Sequence, residues 1–278
     1  MNTRKNRPLF GVGLRSEHYS YLQDNPQTKV DFFEVITENY LDTEGRPKQI
    51  LRKIRENYPL HFHGVSMNIA AHSDISTKYL DKLKNMIHDI RPVLVSDHLC
   101  WTGLPHANLH NLLPFPYNEE TLEHLCRKID FVQNYLGREM IFENLSAYFD
   151  FTNSTYTEWD FWKTLLQRSG CKMLLDINNI YVNAINQKFD PQIYLQTIPA
   201  AAVEQIHLAG YSNMGSFLFD THANPVYPEV WELYKSAVTK FKNIPTLIEW
   251  DEDIPAFEVL ENEALKAKKI QKDLGNLS

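Results

Sequence analysis

Eight short runs of β-branched and other apolar residues recur along the chain, each followed by a stretch with helical spacing, and no flexible linker interrupts the series. The runs cover residues 9–13, 32–36, 60–65, 93–98, 139–144, 172–177, 203–209 and 246–250. Their starts lie about 25 to 45 residues apart, the span of a strand–helix–strand unit. Such alternation leaves two α/β architectures, a (β/α)8 TIM barrel or a doubly wound open sheet. An open sheet that binds dinucleotides carries a glycine-rich phosphate turn, whereas this chain has 10 glycines and none in a G-x-G-x-x-G pattern. The expectation is a TIM barrel, with residues 1–278 forming a single domain.

The clearest helix spans about residues 73–90, where Ile75, Tyr79, Leu83, Met86, Ile87 and Ile90 form one apolar stripe and Pro92 stops the run. Similar stripes cover 122–136, with Asn118 placed as its cap, then 231–241 and 257–274. Two connections, 99–117 and 210–228, are longer than ordinary barrel loops, and such loops are where barrel enzymes keep binding groups. His106 and His110, in the first of them, read as loop-stabilising or substrate-facing residues.

Polar residues able to hold a metal stand at the end of one expected strand after another. They are His63, His98, Glu143, Asp176, His207 and Glu249, and Asp220 and His222 from the second long loop bring the set to eight. In a parallel barrel these ends converge on one mouth. Several carboxylates buried together require protons or cations to compensate them, and metal ions supply the charge. Imidazole and carboxylate donors suit iron, manganese or zinc, and eight donors exceed what one ion takes, which points to two or three metals sharing bridging carboxylates. Glu143 is expected as a bridge from order alone, its strand lying midway in the ligand series. His61, two residues before His63, shares its face one layer deeper and reads as a packed histidine or a donor to a ligand. Glu38 after the second strand suits the mouth or a turn equally well.

Charge and cysteine content narrow the setting. Lys and Arg number 28 against 35 Asp and Glu, a net charge of −7 that disfavours nucleic acid as a partner. With 43% hydrophobic and 23% charged residues the chain can bury a core. Three scattered cysteines make no disulfide framework, and no run has the length of a signal peptide or a membrane span, so a cytoplasmic protein without membrane contact is expected.

The motifs His63-Gly64-Val65-Ser66-Met67-Asn68, Ser96-Asp97-His98-Leu99, Glu143-Asn144-Leu145-Ser146, Asp176-Ile177-Asn178-Asn179, His207-Leu208-Ala209-Gly210-Tyr211, Asp220-Thr221-His222 and Ile248-Glu249-Trp250-Asp251, taken in order, resemble the MbnB-like family of multinuclear non-haem iron-dependent oxidative enzymes. The resemblance implies a xylose-isomerase-like TIM barrel holding two or three iron ions, with zinc or manganese as possible substitutes. It implies an iron-dependent oxidoreductase that uses dioxygen to modify cysteine residues of a ribosomally made precursor peptide, commonly with a separate partner protein that delivers the peptide. Carried over by motif, one iron falls to His63, His98 and Glu143, a second to Glu143, Asp176, His207 and Glu249, and a third to Asn179, Asp220 and His222. Some relatives have His at the position of Asn179, and with the weaker amide ligand the third site is expected to be loosely held or empty here. Asn68, Asp97, Asn144 and Asn178 become candidates for supporting or substrate-facing roles. Three rivals share these features: a metal-dependent sugar isomerase or a phosphodiesterase or endonuclease on a similar barrel, and a non-catalytic metal-binding protein.

Overall fold

The computed structural model describes residues 7–104 and 107–275, and the side chains of Asn108 and His110 fall outside that description, as does His106. In chain order the strands are β1 (Phe10–Gly13), β2 (Phe32–Ile36), β3 (Leu60–Gly64), β4 (Leu94–His98), β5 (Trp101–Leu104), β6 (Ala107–Leu113), β7 (Ile141–Glu143), β8 (Lys172–Asp176), β9 (Val203–Leu208), β10 (Ser212–Asn213), β11 (Leu218–Phe219) and β12 (Thr246–Ile248). The helices are α1 (Tyr19–Asp24), α2 (Glu38–Leu41), α3 (Arg46–Asn57), α4 (Thr77–Ile90), α5 (Glu119–Leu136), α6 (Glu158–Ser169), α7 (Ile177–Gln187), α8 (Pro191–Thr197), α9 (Pro228–Lys240) and α10 (Phe257–Asp273). Eight strands close a barrel in the order β1-β12-β9-β8-β7-β4-β3-β2, every pairing parallel, so the TIM barrel stands and the open sheet does not. The two long connections each fold into a small antiparallel hairpin, β5–β6 and β10–β11, because both lie beyond the strand ends where their backbone can pair only with itself.

Local chemistry sets the helix ends. α4 starts at Thr77, four residues later than its apolar stripe suggests, because the Ser76 side chain accepts from Tyr79 N and caps it there. Asn118 caps α5 as expected, accepting from Thr121 N, and Gly137 ends that helix in the left-handed conformation. Outward-facing strand residues such as Phe62, Val95, Phe142 and Leu175 pack against the helices in one large apolar cluster. Inside the barrel a separate small cluster of Leu94, Ile141 and Leu174 plugs the lower end, which leaves the upper interior to polar residues.

Candidate metal centre

Strand register decides which polar side chains meet. His98 pairs level with Glu143, and Asp176 pairs level with His207, so four of the expected ligands enter the interior near one height. His63 stands beside Ser96, one layer below His98, and its Nδ1 bonds Ser96 Oγ at 2.8 Å. His63 Nε2 then lies 2.9 Å from Glu143 Oε2, with His98 Nε2 at 3.5 Å and His207 Nδ1 at 3.8 Å from the same oxygen. Glu143 is thus the meeting point of the strand-end residues. His98 Nδ1 is turned away to the Gly64 carbonyl, 2.9 Å distant, which aims Nε2 at the centre.

Among the described residues three buried groups can each hold a cation with ligand atoms within 4.8 Å of one another: His63/His98/Glu143, His63/His207/Glu249, and Glu143/Asp176/His207/Glu249. A fourth, His222/Glu249/Asp251, includes an aspartate that sequence reasoning passed over. His222 Nε2 is 2.7 Å from Asp220 Oδ1, and its Nδ1 lies 3.1 Å from Asp251 and 3.3 Å from Glu249. Asn179 shares the cavity with these residues, its Nδ2 donating to the Asn144 carbonyl at 3.0 Å. The cavity holds about 240 Å³ at the barrel mouth.

Electrostatics shows how poorly this cluster stands without added charge. Burial and the nearby Glu143 carboxylate push Asp176 well above the usual carboxyl range. Glu249 goes the other way, held well below it against burial by His207 and His222. Burial opposes charge on His63, yet Glu143 outweighs it and raises the imidazole to about 9, whereas burial wins at His98 and lowers it. Pairing of imidazole with carboxylate sets the shifts of Glu249 and His63 and burial sets that of His98, whereas at Asp176 neighbouring carboxylates add to burial, and it is this crowding that a cation would relieve. Among the described residues Asp176 Oδ2 and Asn179 Oδ1 have no hydrogen-bond partner although buried, so two oxygen acceptors wait near one another. A donor set of imidazole, carboxylate and amide oxygen fits iron, manganese or zinc.

The remaining sequence candidates surround the centre rather than line it. Asn144 grips the backbone of Asp176 at both its N–H and its carbonyl, and Asn178 Nδ2 donates to Asp220 Oδ1 at 2.7 Å. Asp97 points outward and accepts from His98 N and Met67 N, while Glu38 accepts from Val65 N and from Tyr79 Oη behind β3. Asn68, left-handed at φ 58°, ties the start of the β5–β6 hairpin through Thr102 N and the Gly103 carbonyl. His61 sits deeper, as expected, with Nδ1 2.7 Å from Gln205 Oε1. Glu34, Gln205 and Asp251 are the polar residues that sequence reasoning missed. Glu34 and Gln205 lie inside strands, where only the period-two spacing from Ile36 and His207 marks them as inward-facing.

A family model described as "RiPP precursor modification enzyme MbnB/TglH/ChrH" matches residues 9–272, nearly the whole chain. The chain belongs to this family. Membership in the MbnB/TglH/ChrH family makes it an enzyme of the class that modifies ribosomally made precursor peptides. Similar proteins include a UPF0276 protein of Rhizorhabdus wittichii, 45% identical with 97% of this chain and 96% of that one covered. Another UPF0276 protein, from Caulobacter vibrioides, is 44% identical over 90% of each chain. Among solved structures, the D-psicose 3-epimerase of Clostridium cellulolyticum H10 aligns with a TM-score of 0.65 at 11% identity, covering 95% of this chain and 99% of that one. A xylose isomerase domain protein from Planctomyces limnophilus aligns at 0.59 with 12% identity, over 97% of this chain and 99% of that one. Likeness at such identity shows the xylose-isomerase-like barrel alone.

Proposed function

We propose that this protein holds two or three iron ions at the barrel mouth and uses dioxygen to modify cysteine residues of a ribosomally made precursor peptide. The observation that carries the reading is Glu143, which belongs both to the His63/His98/Glu143 group and to the Glu143/Asp176/His207/Glu249 group. One carboxylate shared by two ligand sets supports a multinuclear centre over a single ion. Asn179, Asp220 and His222 would hold the third ion, and Asp251 joins them through its contact with His222. When bound, the ions would supply redox capacity and Lewis acidity, which no side chain of this set provides.

The chain's own part is placement and exclusion. Ile36, Val65, Leu112 and Leu145 supply apolar lining to the cavity, which limits water around an incoming thiol. Ser146 Oγ donates to Asp220 Oδ2 and keeps that carboxylate turned toward His222. A cysteine peptide is too flexible to be oriented by one sulfur contact, so its flanks need a surface. Tyr148, Phe149, Met214, Phe217 and Phe219 expose large apolar area, and Tyr148 Oη bonds both Ser146 and the Asp220 backbone at the rim of the cavity. This rim supports docking of the peptide or of a partner protein that delivers it. Among the described residues no helix is long and apolar enough to cross a membrane.

Protein loaded anaerobically with ferrous iron, then given its precursor peptide, any partner and dioxygen, should yield a mass change confined to cysteine. The Cys→Ser peptide should be inert because it offers no thiolate. Modification of the serine peptide, or turnover of a ketohexose or of abasic DNA at comparable rate, would overturn the assignment in favour of the other barrel chemistries.

A further inference from the structure

Beneath the candidate ligands runs a connected line of buried side chains to which no role has been assigned. His61 Nδ1 lies 2.7 Å from Gln205 Oε1, Gln205 Nε2 donates to Glu34 Oε2 at 2.5 Å, and Glu34 Oε1 lies 3.0 Å from His207 Nε2. His207 Nδ1 faces the opposite way, 2.9 Å from Glu249 Oε2 and 3.8 Å from Glu143 Oε2. We propose that Glu34 is a positioning residue that holds the hydrogen of His207 on Nε2, and so leaves the Nδ1 lone pair free for a cation shared with Glu143, Asp176 and Glu249. The inference rests on the metal-centre reading given above.

A carboxylate oxygen only accepts, so a hydrogen on His207 faces either Glu34 Oε1 at Nε2 or Glu249 Oε2 at Nδ1. A cation held between Glu249 and Nδ1 removes the second choice, and a neutral imidazole ligating through Nδ1 carries its hydrogen on Nε2, toward Glu34. Gln205 Nε2 competes, because it lies 2.8 Å from the same ring nitrogen. A bare Nε2 would accept from that amide, placing the hydrogen on Nδ1 against the cations. The carboxylate prevails because a hydrogen bond with a charged partner is roughly twice as strong as one between neutral groups. Turning the Gln205 amide over would set its oxygen against Glu34 Oε2, acceptor against acceptor, so its Nε2 stays on that side and its oxygen faces His61, whose ring stacks on Phe32 with centroids 4.2 Å apart. Phe32 in turn packs over Gly11, its register partner on the neighbouring strand, where a Cβ would overlap the ring.

Glu34→Gln tests the assignment in the full-length protein. Its new amide nitrogen must face either the Gln205 amide, donor against donor, or His207 Nε2, which forces the hydrogen onto Nδ1. Titration with cobalt(II) alone should show the parent binding at least two ions, and the variant losing affinity about tenfold or more at one of them with a changed absorption band. Glu34→Asp, which keeps the acceptor, should recover part of that loss. In the zinc-loaded parent, nitrogen-15 spectra of the histidines should place the His207 hydrogen on Nε2, with the signal assigned through His207→Gln. A hydrogen found on Nδ1, or a Glu34→Gln isotherm and spectrum matching the parent, would overturn the proposal. If Glu34→Gln does not fold, the parent's His207 spectrum decides alone. A parent that takes up no cobalt or zinc would instead bring down the metal-centre reading on which the proposal stands.

Discussion

A polar residue at the end of an apolar strand is cheap to place and costly to leave uncompensated, and that is why six such residues could be picked from the sequence. Glu143 shows what the structure adds, because its Oε2 sits within 3.8 Å of ring nitrogens from His63, His98 and His207. Glu143→Ala should therefore lower iron content by more than one ion's share, whereas His61→Ala should retain more metal, as elemental analysis of anaerobically loaded protein would show. Gly64 has a different role. A Cβ there would overlap Asp97 Oδ2, which is fixed by Met67 N beside the His98 N–H bond to Oδ1. Gly64→Ala should cost about 1–3 kcal/mol in urea denaturation, the usual range for overpacking a buried position. Glu34 and Gln205 escaped the sequence reading because a strand end announces itself by a change in polarity, while a buried polar residue in mid-strand reads as noise in an apolar run. Their place two residues from Ile36 and His207, on the same inward face, is the signal that was available.

At the level of elements, the strand–helix alternation was legible throughout, but the hairpins β5–β6 and β10–β11 were not, since hydrogen-bonded pairing within a long loop leaves no regular apolar period. The segment after β7 depends on contacts that only three dimensions supply. Asn183 on α7 accepts from Ala147 N and donates to the Leu145 carbonyl and to Glu158 at the start of α6, and Tyr194 on α8 donates to the same carboxyl. These bonds hold the segment that brings Ser146 to Asp220. Burial raises Glu158 to about 7 from 4.5, although its hydrogen bonds to Tyr194 and Asn183 act the other way. Between those two values the folded state keeps a proton that the unfolded chain has released, so stability falls as pH rises through the window. At 1.36 kcal/mol per pKa unit the full effect is about 3 kcal/mol. The unfolding free energy of the parent relative to Glu158→Gln should thus drop by up to about that amount between pH 4.5 and 8. Urea titrations at several pH values would check it, and a difference independent of pH would mean that Glu158 is already ionised in the folded protein.

For the whole molecule, the barrel divides labour by height. The apolar plug of Leu94, Ile141 and Leu174 and the shell of helices are built around apolar burial, whereas the mouth gathers carboxylates and imidazoles from β3, β4, β7, β8, β9 and the segments carrying residues 220–222 and 249–251. Cations at that mouth would tie together chain segments that otherwise repel, and they would stabilise the folded state by mass action, by about 2.7 kcal/mol per site when free metal stands at 100 times its dissociation constant. Removing them should loosen the mouth and spare the shell, because the groups that would hold them lie at the mouth. Hydrogen exchange measured before and after chelation should accelerate in residues 143–148, 207–224 and 249–251 and stay unchanged in α4 and α5. Equal acceleration everywhere would make the metals a support of the entire barrel. No acceleration at the mouth, in protein shown to have carried metal, would mean that Asp176 and Asp220 are held in place by Asn144, Asn178 and Ser146, and His207 by Glu34, without help from the ions.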